Sequence, residues 1–224
     1  MQTDTRRRAN RIFTAVLSVL AVFLVVFGIL TSLMLSDPNA GTISDSIAMS
    51  EDLGTKMLAA AVTGKECVAT ADEVNQYLEY RRVISSTVLT VDGAVVERVI
   101  LSFRKDNTAD AYIPVKFQGK HFGVSVHFVP SFDAEKDRIV LHVEGIKIGR
   151  LPLPPQWALG FIKDKLPDGF SADGADLRVI PTSWKHKYMG VTAEVSIADL
   201  RLEDEKLKIR ASTNVNIPLP GFFS

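Results

Sequence analysis

Residues 12–36 read IFTAVLSVLAVFLVVFGILTSLMLS, 25 consecutive positions without a charged side chain. Few folds can hold such a run. As a helix rising ~1.5 Å per residue it exceeds the ~20 residues that cross the hydrocarbon core of a bilayer. The apolar region of a secretory signal is shorter, about 7–15 residues. A helix apolar on every side must be surrounded by protein or by lipid, and a soluble core helix this long and this apolar is unusual. The run therefore predicts an uncleaved transmembrane anchor over 12–36. No cysteine follows closely, which argues against a lipidated terminus. Arg6, Arg7, Arg8 and Arg11 precede the run, and Asp37 opens the segment after it. Basic flanks stay on the cytoplasmic side. The expected arrangement is a cytoplasmic tail at 1–11, a single span in the cell membrane, and an extracytoplasmic remainder.

Four of the 26 basic residues and one of the 26 acidic residues lie in the first 11, which leaves 22 against 25 for the rest of the chain. A nucleic-acid partner requires a basic face on the folded part, so none is expected; the membrane is the expected partner. Cys67 is the single cysteine, so an intramolecular disulfide and a cysteine metal cluster are both excluded.

Residues 37–46, DPNAGTISDS, have the composition of a short stalk. The domain is expected over 47–224. Its first helix is predicted over 50–63, with Ser50 as cap, Glu51 and Asp52 at the positive end and Gly64 as terminator. A second is predicted over 70–82, where Thr70 and Glu73 make a capping box. From Ser85 the hydrophobic period becomes two. Ala111, Ile113, Val115 and Phe117 share one face, and so do Phe122, Val124, Val126 and Phe128, opposite His121, Ser125 and His127. This alternation belongs to an antiparallel sheet with one covered face. The parity slips twice, at Gly145 and across Ala198-Asp199, and each slip predicts a bulge in a long bending strand.

In "GIKIGRLPLPPQW", residues 145–157, a strand meets Pro152, which has no N–H for a ladder, and then Pro154 and Pro155, which suit the first turn of a helix. Trp157, Phe161 and Ile162 follow at helical spacing, predicting a short amphipathic helix over 155–165 that lies across the sheet. The expected fold class is α+β: a curved, mostly antiparallel sheet of six to eight strands packed by short helices, behind the N-terminal transmembrane helix.

The anchor, the "TADEVNQYL" helix with Asn75, and the run "VEGIKIGRLPLPPQWALGFIKDKLP" together resemble the YpmS-like proteins of Gram-positive bacteria. These carry a domain of unknown function behind one N-terminal anchor. The resemblance spans essentially the whole chain. It implies an extracytoplasmic domain and brings no reaction or catalytic residue. More loosely, the helix ending in "EVNQYL" before long strands looks like tubular, lipid-binding-like domains.

The chemistry-bearing residues are sparse. His121, His127 and His142 form the one cluster to weigh as a metal site. If Phe128 paired with Ile139, His142 would lie opposite Ser125, but three or four fixed ligands are required and no carboxylate is clearly placed with them. Solvated histidines on a polar face are the expectation. No G-x-S-x-G elbow and no phosphate-binding glycine loop occurs. The acids at 203–205 and 133–137 read as turns. We therefore expect no enzyme, no metal and no cofactor. The leading expectation is an envelope protein that binds a lipid or other apolar ligand, lined by Phe122, Val124, Val126, Phe128, Trp157 and Phe161. Trp184, Lys185 and Lys187, read as a loop, are expected to contact the membrane or a headgroup. The alternative is an envelope scaffold that docks a protein partner through a sheet edge or through "NIPLPGFFS".

Overall fold

The computed structural model describes residues 21–37, 39, 46–85, 89–91, 93–166, 168–180, 184–188 and 191–216. Residues 21–35 are helical (α1), and the remainder of the expected anchor lies outside the described residues. Among the described residues no helix is long and apolar enough to cross a membrane.

After α1 come α2 (Asp52–Thr63), β1 (Glu66–Ala69) and α3 (Ala71–Ser85). The Gly64 terminator and the Thr70–Glu73 box form as expected, whereas Glu51 and not Ser50 stands at the N-cap of α2, without a side-chain cap bond. The Ser50 hydroxyl accepts from the Asp52 amide at 3.0 Å, and Gly64 closes α2 at φ 67°. The Thr70 amide donates to Glu73 at 2.8 Å while the Glu73 amide donates to the Thr70 hydroxyl at 3.2 Å. The Thr70 amide, with Lys56 behind it, holds the Glu73 carboxyl below its usual range.

The large sheet contains β2 (Leu89–Val91), β3 (Ala94–Val96), β4 (Ile100–Phe103), β5 (Ala109–Phe117), β6 (Lys120–Asp133), β7 (Arg138–Ile148), β8 (Leu151–Leu153), β9 (Phe170–Asp173) and β10 (Asp176–Val179). Its order is β2-β3-β5-β6-β7-β10-β9, with β4 also on β5 and β8 also on β7. The second sheet is β1-β13-β12-β11, where β11 is Trp184–Tyr188, β12 Val191–Glu203 and β13 Lys206–Asn216. Every pairing is antiparallel. The fold is α+β with a curled antiparallel sheet, but it has two sheets where one was expected. The added strands are mostly three to five residues long, too brief to show a period of their own.

Both parity slips are register shifts. His127 faces Gly145 and Phe128 faces Val143, so Glu144 is the extra residue. Ala198 is extra between Ile197 and Asp199. Each bulge keeps the apolar set on one face: Val143 and Ile146 are both buried, as is Leu200. Two prolines sit inside strands without breaking a ladder. Pro114 falls where β4 has ended at Tyr112 and β3 begins at Val115. Pro130 lies beyond the last β5 pair, Ala109 with Phe128, so no neighbour on that side loses a bond.

The core occupies the space between the sheets in two adjoining clusters. One joins Leu53, Met57 and Ala60 of α2 to Cys67, Val74, Leu200 and Ile209. The other joins Ala109, Ala111, Phe128, Val143, Ile146 and Leu202 to Leu159 of α4 (Pro155–Ile162). Asn75, buried on α3, donates to the Leu101 carbonyl at 2.9 Å and accepts from the Leu101 amide at 2.7 Å. It thus replaces a missing strand neighbour along β4, which makes its role structural.

Candidate functional site

The expected ligand-lining residues do not share one surface. Phe128 is 7% exposed and part of the packed core. Val124 and Val126 lie against that cluster. Phe122 is half-buried and belongs to neither cluster, as are Ile113 (paired with Val124), Ile148 and Leu151. Trp157 and Phe161 face away, 63% and 68% exposed. They stack at 6.3 Å between centroids, with the Lys165 ammonium 5.0 Å over Phe161. Leu159 is the buried α4 residue, with Ala158 and Ile162 packed beside it. The inward stripe of the helix is therefore 158/159/162: of the expected Trp157, Phe161 and Ile162, Ile162 lies inward and the other two are corrected to the outer side. A short helix this apolar has no hydrophobic contrast from which to read its inward face.

Trp184, Lys185 and Lys187 lie in strand β11, paired with Val195, Glu194 and Thr192 of β12, which corrects the loop expected there. Their side chains, and the segment 217–224 proposed for docking, lie outside the described residues.

The end of the large sheet at the β7–β8 turn has a specific construction. The Arg150 amide donates to the Leu33 carbonyl of α1 at 2.9 Å, and the Gly149 amide donates to Gly123 at 2.7 Å. A Cβ on Gly149 would stand 2.4–2.6 Å from the carbonyl oxygens of Met34, Leu33 and Ser36, and the residue has φ 57°. Glycine is the residue that satisfies both conditions, leaving room for the end of α1. Beside it, the Tyr112 ring lies where a Gly123 side chain would be, and the Tyr112 hydroxyl donates to Asp37. Burial, reinforced by Asp37, pushes the Tyr112 phenol well above its usual range. The last turn of α1 and the start of the stalk are thus fastened to the sheet at the end where Phe122, Ile148 and Leu151 emerge from the packed core.

The opposite, polar face of β4–β7 holds a cleft of about 730 Å³, floored by Ser102, Arg104, Asp110, Ser125, His127 and Lys147 and flanked by Asn39. Sequence alternation identified its polar parity but not its depth, to which Asn39 contributes. His127 Nδ1 lies 2.8 Å from Asp110 and Nε2 3.2 Å from Glu144. A carboxylate faces each ring nitrogen, and no hydrogen bond joins His127 to Ser125 among the described residues. His142 pairs with Asp176 at 2.7 Å and His121 with Glu97 at 3.4 Å. The hairpin register places Val129, not Ser125, opposite His142, because β6 runs on through Pro130 to a turn at Asp133–Arg138. The histidines are held apart, each by its own acid. Among the described residues no group of three or more histidine, cysteine or acidic side chains is arranged to hold a metal ion, and no buried side-chain polar atom lacks a partner.

Comparisons with protein-family models, with curated proteins and with solved structures found no match to this chain.

Proposed function

We propose that the chain is a YpmS-like, membrane-tethered extracytoplasmic domain that takes an acyl chain of a bilayer lipid against the apolar margin of its large sheet. The observation that carries this reading is α1. From Val22 to Leu30 its large apolar side chains are 40–64% exposed on every side, yet its end is seated against Gly149 and Arg150. In water that surface is unfavourable by about 25 cal/mol per Å²; within a bilayer it is satisfied. The same seat sets the half-buried residues Phe122, Val124, Ile148 and Leu151 at the anchor end of the domain. An acyl chain moving there from the bilayer exchanges one apolar surrounding for another. The free-energy change is therefore small, and occupancy follows from the high local lipid concentration that a tether provides.

No catalytic step belongs to this proposal. A photoreactive residue in place of Phe122 in the full chain, reconstituted in vesicles, should crosslink to lipid, whereas one in place of Lys105, in the turn between β4 and β5, should not. Equal crosslinking at both positions, or at neither, would remove the margin as a lipid site.

A further inference from the structure

We infer that the anchor end of the large sheet is a docking surface for anionic lipid headgroups. The inference rests on the membrane tether proposed above and adds a lipid class to it. Lys116, Lys120, Lys147 and Arg150 lie at this end, on β5, on β6, on β7 and in the β7–β8 turn. All four are exposed. None of their side chains makes an ion pair or hydrogen bond with a described residue. At the opposite end of the large sheet, cations are partly paired with acids. There Arg138 pairs with Asp133 at 3.2 Å and Arg104 with Asp110 at 2.5 Å, while Lys105 and Lys136 are exposed and without such a partner among the described residues. Four uncommitted cations thus lie where α1 arrives.

The register keeps them together. Lys116 faces His121, and Lys147 faces Ser125. At about 3.3 Å per residue and 4.8 Å per strand the group spans roughly 20 Å, the area of several headgroups. The nearby acids are already engaged: Glu97 faces His121, and Asp37 accepts from Tyr112. Among the described residues no carboxylate pairs with these four cations, and a lipid phosphate supplies that partner. Lipid is the occupant the fold favours, because the apolar α1 leaves the domain from the middle of this group.

The test uses the full chain with Gln118→Cys, in the turn between Lys116 and Lys120, carrying an environment-sensitive fluorophore; Cys67 is buried and stays unlabelled. The chain is reconstituted into vesicles of phosphatidylcholine alone or mixed with phosphatidylglycerol. The expected result is a blue-shifted, brighter signal with phosphatidylglycerol that weakens with added salt. Occupancy of the docked state should fall about fivefold per cation neutralised in the series K116Q, K120Q, K147Q and R150Q. Equal signals in the two vesicles, with the chain inserted in both, would overturn the headgroup site and leave the tether standing. A chain that does not float with either vesicle would remove the tether, and this inference with it.

Discussion

Gly149→Ala separates two costs that the seat of α1 combines. The first is backbone strain: an L side chain at φ 57° costs about 1–2 kcal/mol. The second is steric. The new Cβ would stand 2.4–2.6 Å from three backbone carbonyl oxygens, which cannot rotate away as a side chain can. Gly119→Ala is the internal control, since it has φ 78° and nothing within 4 Å of its Cβ. Both changes should lower the melting temperature by roughly 2–8 °C, from 1–2 kcal/mol at about 2–4 °C per kcal/mol for a domain of this size. Only Gly149→Ala should also release the end of α1. Hydrogen exchange on the full chain in a lipid nanodisc reads this directly. The Arg150 amide, bonded to Leu33 at 2.9 Å, should lose up to about tenfold protection, the worth of one net hydrogen bond. It should remain protected in Gly119→Ala. Equal Arg150 protection in the two variants would refute the argument that Gly149 seats the helix.

Three further outcomes follow from the same geometry. Asn75→Ala leaves both the amide and the carbonyl of Leu101 without their partner, so a urea titration should show a loss of about 2–4 kcal/mol; an unchanged midpoint would contradict its bridging role. Leu159→Ala should cost about 2–5 kcal/mol, as a buried leucine does, while Trp157→Ala, on the outer stripe, should stay within about 0.5 kcal/mol; the reverse order would mean that α4 is turned over. Thr70→Ala should cost about 1 kcal/mol through the lost cap. The Glu73 carboxyl lies below its usual range when folded, so its contribution is present above the unfolded pKa and lost as pH falls through the lower, folded value. The stability gap between the natural chain and Glu73→Gln should accordingly close on acidification, and a gap that widens toward acid would reverse that sign.

How much of this was legible depended on whether a feature is local. The capping box, the proline start of α4 and the two bulges are written in neighbouring residues, and each forms where expected. Gly145 and Ala198 could be read because a bulge changes parity within one strand. The 133–137 turn was legible in its acids, but the pairing weighed for the histidines, Phe128 with Ile139, is not the one formed: Phe128 faces Val143 and Phe132 faces Ile139. The second sheet was missed as well. β1 pairs with β13, whose partner residues are more than 130 positions away, and periodicity carries no information across that distance. The outer position of Trp157 and the polar cleft are likewise products of packing. Leu159 displaces Trp157 from the core, and Asn39, two residues beyond the Asp37–Tyr112 hydrogen bond, flanks a face that alternation alone would leave flat.

The central claim is that a membrane-tethered domain holds lipid at its anchor end. Native mass spectrometry of the full chain, released from lipid nanodiscs and paired with lipid extraction of the same sample, tests it most directly. The account predicts a stoichiometric diacyl lipid that survives release and is lost when Phe122 and Ile148 are replaced by glutamate in a variant shown to remain folded. A lipid-free mass for the natural chain, under conditions that keep lipid on a known lipid-binding control, would contradict it.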